Sequence, residues 1–373
     1  MRAPLLILAL AALTGLAWAT PAAAHAPLRT GGNDSLATAT VIPDPTKSWA
    51  LYNRLAADDQ AQYYRFQATA GQTIRLHLFT SPAAKDDGFV PSVAILGPGV
   101  SGEDSPPGFV EEPPGAGALV LAGEPPAGAT YEPFSPSATR DVAETDFEVP
   151  RDGTYVLVVY AEDRGGHYGL AVGSRESFTP MEWITSPLFF ASIYAWERQP
   201  LWLVYLPAAL VVAGGGLLLL RRHRRGRRVD LPARVAATAG LLFVASGVTV
   251  VVQMVAALFW SSPTAAAAVT VVLAALPAAL GTGVLVLALR RSGEWSLGSR
   301  LLLAALGVGG LALWAGWMVG PALAVVAAVL PSRALLADEP GAARSRPGWK
   351  NAGDAGPETD RAARDPETGR VPG

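Results

Sequence analysis

The chain contains no cysteine. That one absence excludes disulfides, thiolate metal sites, a cysteine nucleophile and an acylated lipoprotein cysteine. Any domain formed here is held by its own core. Charge is scarce too: only 16% of the 373 residues are Asp, Glu, Lys or Arg, against about 25% in an ordinary soluble domain. The shortfall is concentrated in the C-terminal half, where long stretches carry no charge at all. Signatures of catalysis are also missing. There is no nucleophile elbow and no H-E-x-x-H pair, and no serine, histidine and carboxylate declare themselves as a triad. The sequence points away from an enzyme.

The charge that is present is unevenly placed. Residues 25–199 hold 22 acidic and 11 basic side chains. So acidic a half argues against a nucleic-acid partner, whose phosphates need a basic surface. Arginine is instead packed into Arg221, Arg222, Arg224, Arg225, Arg227 and Arg228. This block follows directly on the uncharged apolar run 200–220. Three further runs follow, at 233–259, 264–289 and 301–330. Each reaches the roughly 20 residues needed to cross a bilayer. No ionisable residue lies in the interior of any of them, which argues against a proton-coupled pump or an ion channel. Gln253 is the most polar side chain in the interior of the runs and reads as helix–helix glue, while Gly316 and Gly320 fit a close helix contact.

Cytoplasmic loops are enriched in Lys and Arg, so the arginine block serves as a topological anchor. With it inside, everything before it lies outside. Arg290, Arg291 and Arg300 come two spans later and fall on the same inner side. Parity then puts the tail, residues 331–373, outside. The last run is long for one span and carries Gly320-Pro321 in its middle. Read as a hairpin of two short spans, it brings the tail inside instead. The tail mixes Pro, Gly and Ala with seven basic and seven acidic residues, and such a composition is expected to be disordered.

Residues 1–24 read as a secretory signal peptide, with Arg2, an apolar stretch from Leu5 to Leu16, and Ala22-Ala23-Ala24 as the cleavage signal. Cleavage leaves His25 as the mature N-terminus; retention makes the segment a signal anchor. Asn33-Asp34-Ser35 matches the N-glycosylation acceptor pattern. From residue 49 to 173 the signals are those of strands. Residues 63–68 are rich in β-formers, and residues 73–79 alternate, with Ile74, Leu76 and Leu78 on one face and Arg75 and His77 on the other. Residues 92–96, 117–121, 154–160 and 167–172 complete the set, punctuated by Gly and Pro. Short strands of this kind fit a β-sandwich, with Tyr64, Phe66, Tyr155 and Tyr168 large enough to dominate its core.

The pattern Asp58-Asp59, then Tyr63-Tyr64-x-Phe66-x-Ala68-x-Ala70-Gly71-Gln72, resembles the opening of the bacterial and archaeal pre-peptidase C-terminal (PPC) domain. Gly153-Thr154-Tyr155-Val156-Leu157 and Gly166-x-Tyr168-x-Leu170-x-Val172 resemble its end. The likeness covers residues 32–173. It implies a jelly-roll-like sandwich that accompanies secreted or surface proteins and is not itself catalytic; some relatives bind collagen or calcium. Residues 97–140 depart from the pattern as a Pro- and Gly-rich insertion, expected as surface loops at one end of the sandwich.

Residues 174–199 form a connector bearing Trp183, Phe189, Phe190, Tyr194 and Trp196. It reads either as an interfacial segment at headgroup depth or as a linker packed on the sandwich. Two metal readings arise. Once cleavage frees it, the amine of His25 can chelate Cu(II) together with its own imidazole, and a strong site then needs a second imidazole, for which His77 and His167 are the candidates. Asp58 and Asp59, like the other acidic pairs, sit in expected loops where calcium finds oxygen ligands, or they are simply solvated; no EF-hand spacing is present.

The expectation is an all-β, jelly-roll-like extracytoplasmic sandwich (25–173), the connector, and an α-helical transmembrane bundle of about four helices (200–330). Together they make a multi-pass plasma-membrane protein needing no cofactor. Its function is expected to be non-catalytic binding or assembly, with the bilayer, envelope glycan or another membrane protein as partner. Loops on a rigid scaffold commonly carry recognition, so the Pro-rich segment is the expected contact surface. The alternatives are an accessory subunit of a transport or secretion complex, and a copper-binding or enzymatic envelope protein.

Overall fold

The computed structural model describes residues 25–56, 60–225, 229–290 and 295–331. The expected signal peptide, Asp58, Asp59, Arg227, Arg228 and residues 332–373 lie outside them.

Among the described residues, eleven strands form the N-terminal half: β1 Ala26–Pro27, β2 Thr40–Val41, β3 Trp49–Leu55, β4 Gln60–Ala68, β5 Thr73–Thr80, β6 Ser92–Gly97, β7 Gly117–Leu121, β8 Thr130–Glu132, β9 Ser137–Glu148, β10 Gly153–Ala161 and β11 Gly166–Val172. They make a two-sheet sandwich, with one sheet in the order β1-β3-β11-β5-β9-β8 and the other in the order β2-β4-β10-β6-β7. Alternation along the strands fills the space between the sheets. Tyr64, Phe66, Tyr155 and Tyr168 are all buried there, with Phe66 and Tyr155 stacked at 5.8 Å. The polar ends of these rings are satisfied within the core. Tyr64 and Tyr168 share a hydroxyl–hydroxyl bond of 2.6 Å, and Tyr168 donates to Gln62.

β10 is apolar on both faces. Tyr155, Leu157 and Val159 enter the inter-sheet core, while Val156, Val158 and Tyr160 face outward. An outward apolar face must be covered, and residues 98–116 cover it, with Phe109, Val110 and Ala116 packed on it. The segment expected as end loops is therefore a lid on a sheet face. It also contains β7 and β8 and the start of β9, a strand with no strong sequence signal.

The connector is helical. Helix α1, Pro180–Trp196, opens with a capping box between Thr179 and Glu182, which satisfies two otherwise orphaned backbone N–H groups. Glu182 also pairs with Lys47 at 2.7 Å, tying the helix start to the strand region. At the other end Trp196 packs against Phe79, Ala171 and Tyr52 on the outer face of the six-stranded sheet. Its indole N–H donates to the carbonyls of Asn53 and Tyr168, each at 3.1 Å.

Helices α2 Leu201–Arg224, α3 Leu231–Leu258 and α4 Ala267–Leu289 follow. These three are long and apolar enough to cross a membrane. The fourth expected span is not one helix. It is two, α5 Leu297–Ala312 and α6 Val319–Val329, about 24 Å and 16 Å long at 1.5 Å per residue, each shorter than a hydrocarbon core of roughly 30 Å. Trp314, Gly316, Trp317 and Met318 adopt positive φ between them. Pro321 falls in the first turn of α6, where its missing N–H loses no helical bond. Pro187, Pro207 and Pro277 sit inside continuous helices, so the run of positive-φ residues, and not proline alone, marks the break. The two helices fold back on each other, with Arg300 donating to the carbonyls of Ala328 and Leu330 at 2.8 and 2.7 Å. Thus Leu330 lies beside Arg300, as the hairpin alternative expects. Arg222 donates to the Leu289 carbonyl at 2.7 Å, so the ends of α2 and α4 are neighbours.

Phe243 of α3, fully buried, fits into a hole made by glycines of the hairpin. A Cβ at Gly310 or Gly320 would come within 2.4 or 2.6 Å of its ring. Gly240 and Gly281 provide the close approach of α3 to α4, where a Cβ on either would press on the other's carbonyl oxygen.

Candidate functional site

The sandwich and the helices share a junction, tied by hydrogen bonds on several sides. Tyr131 donates to Thr270 of α4 at 2.7 Å, and Thr270 donates to the Pro133 carbonyl at 2.7 Å. Trp314, at the hairpin tip, donates to the Trp183 carbonyl at 2.8 Å. Trp196 anchors the end of α1 as described above. Two cavities lie along this junction.

The larger, about 640 Å³, is bounded by the start of β9, the α1–α2 link and the C-terminal part of α3. Its walls are mostly apolar: Leu203, Val252, Ala256 and Trp260. Set among them is Glu197, only 1% exposed. Its carboxylate accepts from Ser81 at 3.2 Å and from Gln199 at 2.7 Å. Burial nevertheless pushes its pKa up to about 7, against the opposing effect of hydrogen bonds from Gln199, Ser81 and the Ala138 backbone. The next residue, Arg198, is held at φ 59° and reaches the Ala84 carbonyl at 3.4 Å. Gln253 comes in from α3 and is 2% exposed. Among the described residues, its Oε1 is the buried side-chain polar atom without a hydrogen-bond partner. Gln253, read from the sequence as helix–helix glue, lines the cleft with its acceptor unused.

The smaller cavity, about 100 Å³, lies between the six-stranded sheet, α1 and Trp314. His25, His77, Tyr52 and Glu132 line it together. His25 Nδ1 is 2.5 Å from the Ser48 hydroxyl. Burial, followed by the nearby His77, lowers the His25 pKa to about 4. His77 Nε2 is 2.9 Å from the Asp141 carboxylate, and that bond holds Asp141 below the usual carboxylate range. Burial raises Glu132 to about 7, opposed by backbone N–H bonds from Phe134 and Ser135 and by the charge of His77.

The three sequence-predicted histidines thus separate. His25 and His77 share a cavity, but His167 does not join them. It lies four residues along β11 from Ala171, the partner of His77, or about 13 Å at 3.3 Å per residue. Both its backbone N–H and its Nδ1 engage Asp86, each at 2.7 Å. Asp58 and Asp59 are outside the described residues. Among the described residues, no three His, Asp or Glu side chains converge as a metal-binding group. Of the arginine block, Arg221, Arg222 and Arg224 occupy the last turn of α2 and Arg225 caps it. Sequence reasoning passed over Glu132 and Glu197. The signal for Glu197 was available, since it follows directly on an apolar aromatic stretch that runs from residue 183 to 196.

No family model matches the chain, and no curated protein matches it. Among solved structures, the chain is similar to the pre-peptidase C-terminal domain of collagenase from Bacillus anthracis, at 17% identity and a TM-score of 0.23, over 36% of this chain and 93% of that one. A likeness of this size carries no functional argument.

Proposed function

We propose that this is a membrane-anchored, non-catalytic binding protein with a PPC-like, jelly-roll-type sandwich on the extracytoplasmic side and the arginine block on the cytoplasmic side. Its ligand site is the larger cleft, and the ligand is a lipid-like amphiphile carrying a hydrogen-bond donor. The observation that supports this reading is the buried, unpartnered Oε1 of Gln253. Leaving a buried acceptor unsatisfied costs roughly 1–3 kcal/mol, so a donor at this position is favoured. The surrounding Leu203, Val252 and Ala256 suit an apolar chain, and Glu197 and Arg198 suit a polar headgroup. Exposed Phe259 and Trp260 stand beside the cleft, and aromatic side chains of this kind favour the headgroup level of a bilayer.

The test is native mass spectrometry of the full chain purified in mild detergent. A retained amphiphile of defined mass, lost in Gln253→Leu with the melting temperature kept, supports the reading. An empty wild-type protein, or retention unchanged in the variant, sinks it. A second reading, as accessory subunit of a transport or secretion complex, has one observation in its favour. Helix α2 exposes Leu206, Leu210, Leu217 and Leu218, and Gly214 and Gly216 have nothing packed on them. Lipid covers such a face equally well. Stable co-purification of another membrane protein with the wild-type chain, abolished by Gly214→Leu and Gly216→Leu, favours the subunit.

A further inference from the structure

We infer that the larger cleft selects an anionic lipid whose acyl region carries an N–H or O–H donor, as in an amide-linked or hydroxylated chain, over an ordinary diester phospholipid. The inference rests on the cleft reading above and narrows it to a class of ligand.

Three features carry it. The first is the chemistry of the unpartnered atom. Gln253 Oε1 is an acceptor, and it is buried without a partner. A lipid ester offers only acceptors and leaves this atom as it is. An amide N–H or a chain hydroxyl completes it, and a buried hydrogen bond left unmade is expensive. Gln253 is 2% exposed, which keeps bulk water from satisfying it. The terminal torsion of a glutamine is soft, so its oxygen can turn to a donor entering the cleft that it lines.

The second is depth. Gln253 stands five residues before Leu258, the last residue of α3, or about 7.5 Å along the axis. Phe259 and Trp260 line the cleft at that helix end and suit the headgroup level of a bilayer. Gln253 lies below them, and its neighbours in the wall are Val252 and Ala256. The donor it calls for therefore belongs to the acyl part of the lipid and not to its headgroup.

The third is the charge at the mouth. Lys85 and Arg198 both line the cleft and are both exposed. Arg198 donates to the Ala84 carbonyl at 3.4 Å, which brings its guanidinium to the residue preceding Lys85. The acidic residue of the cleft, Glu197, already accepts from Ser81 and Gln199. Two adjacent cations suit a phosphate or carboxylate headgroup, to which hydrogen bonds are charge-assisted.

The experiment titrates the full chain in detergent with ceramide phosphate, phosphatidic acid and neutral ceramide of matched chain length, read by native mass spectrometry. Ceramide phosphate and phosphatidic acid share a phosphate and differ below it, where an amide and a hydroxyl stand in place of two esters. Ceramide phosphate should bind about tenfold tighter than either of the others. Gln253→Leu should weaken ceramide phosphate about tenfold and leave phosphatidic acid unchanged. Lys85→Gln combined with Arg198→Gln should bring ceramide phosphate down to the level of ceramide. A phosphatidic acid with β-hydroxylated chains tells the two donors apart: binding like ceramide phosphate assigns the hydroxyl, and binding like plain phosphatidic acid assigns the amide. Melting curves of each variant exclude unfolding as the cause of a loss, and Gln253→Met serves where the leucine variant does not fold. Phosphatidic acid bound as tightly as ceramide phosphate, or a preference that survives Gln253→Leu, overturns the inference while the cleft stays a lipid site. If none of the three lipids binds, or a co-purifying polypeptide keeps them out, the cleft reading falls and this inference with it.

Discussion

Trp314 lies against Trp183 with ring centroids 4.4 Å apart, and its indole N–H donates to the Trp183 carbonyl at 2.8 Å. One residue belongs to the tip of a helical hairpin and the other to the first helix after the sandwich, 131 positions earlier. Phe190 adds an edge-on contact to the same indole at 5.4 Å. This aromatic cluster holds the hairpin tip against α1. In detergent, Trp314→Phe should cost about 1 kcal/mol for the hydrogen bond. A double-mutant cycle of Trp183→Ala with Trp314→Ala should give a coupling of about 0.5–1.5 kcal/mol. Additive single effects would show that the ring contact contributes nothing.

The hole around Phe243 gives a second expectation. Gly320→Ala puts a methyl within 2.6 Å of the Phe243 ring, and overpacking of this order costs about 1–3 kcal/mol. Phe243→Leu on the Gly320→Ala background should recover part of that loss in thermal melting. The same leucine alone should destabilise, because it leaves the hole part empty. If the double variant is no better than Gly320→Ala alone, the ring is not what the glycine makes room for.

Most of the sandwich can be read from residues whose pattern is self-contained. β10 is a continuous run of β-formers, and β5 alternates cleanly. β9 could not be read that way. Its outward face carries Asp141, Glu144 and Asp146, which resembles a solvated loop until β5 supplies partners: Arg75 pairs with Glu144, and His77 with Asp141. The reason for this strand thus lies in another strand. The same holds for Gly240 and Gly281, unremarkable in sequence until two helices cross at them. The candidate sites were legible in pieces. His25 and His77 stand out by type, but only the sheet order shows that β3 and β11 lie between them. The hairpin was visible as Gly320-Pro321 in an overlong apolar run; the choice between one long span and a fold-back was made by the packing of Arg300 on Ala328 and Leu330.

The acceptor pattern at Asn33 should never carry a glycan on the folded protein. Asn33 is 1% exposed, and its amide nitrogen donates to the Tyr63 carbonyl at 3.2 Å while its oxygen accepts from Asn53 at 3.2 Å. Expression in a host that glycosylates asparagine should give the unmodified mass at this residue. Asn33→Ala should lower stability by about 1–3 kcal/mol by leaving buried partners unsatisfied. A glycan found at Asn33 on correctly folded protein contradicts the packing.

Glu197 should make the junction pH-sensitive. Its pKa is pushed up to about 7 from an ordinary 4.5, chiefly by burial. The folded state then holds more protons than the unfolded state between those values, so the contribution of Glu197 is fully present below about 4.5 and is lost as pH rises through about 7. The loss is on the order of 3 kcal/mol at most. Glu132, also raised to about 7, acts in the same direction. His25, lowered to about 4, acts oppositely and destabilises as pH falls below 6.5. The difference between wild type and Glu197→Gln isolates the one group. The variant should gain stability relative to wild type as pH goes from 5 to 8, measured by chemical denaturation. A pH-independent difference would show that Glu197 stays ionised in its buried position.

The fold-back of α5 on α6 places Leu330 beside Arg300, and Arg222 lies beside Leu289. The end of the described chain should therefore be reached from the same side of the membrane as the arginine block. The absence of native cysteine makes this straightforward to measure. Single cysteines at Arg225 and Pro331, and one at Gly108 in the sandwich, can be labelled in intact cells with a membrane-impermeant maleimide. Gly108 should label at once. Arg225→Cys and Pro331→Cys should both stay dark until the membrane is permeabilised, since cytoplasmic loops carry the arginine. Were 301–330 a single continuous span, Pro331→Cys would label with Gly108→Cys instead, and the hairpin would be wrong. Protection of Gly108→Cys together with labelling of Arg225→Cys would keep the hairpin and invert the sidedness, removing the extracytoplasmic placement of the sandwich.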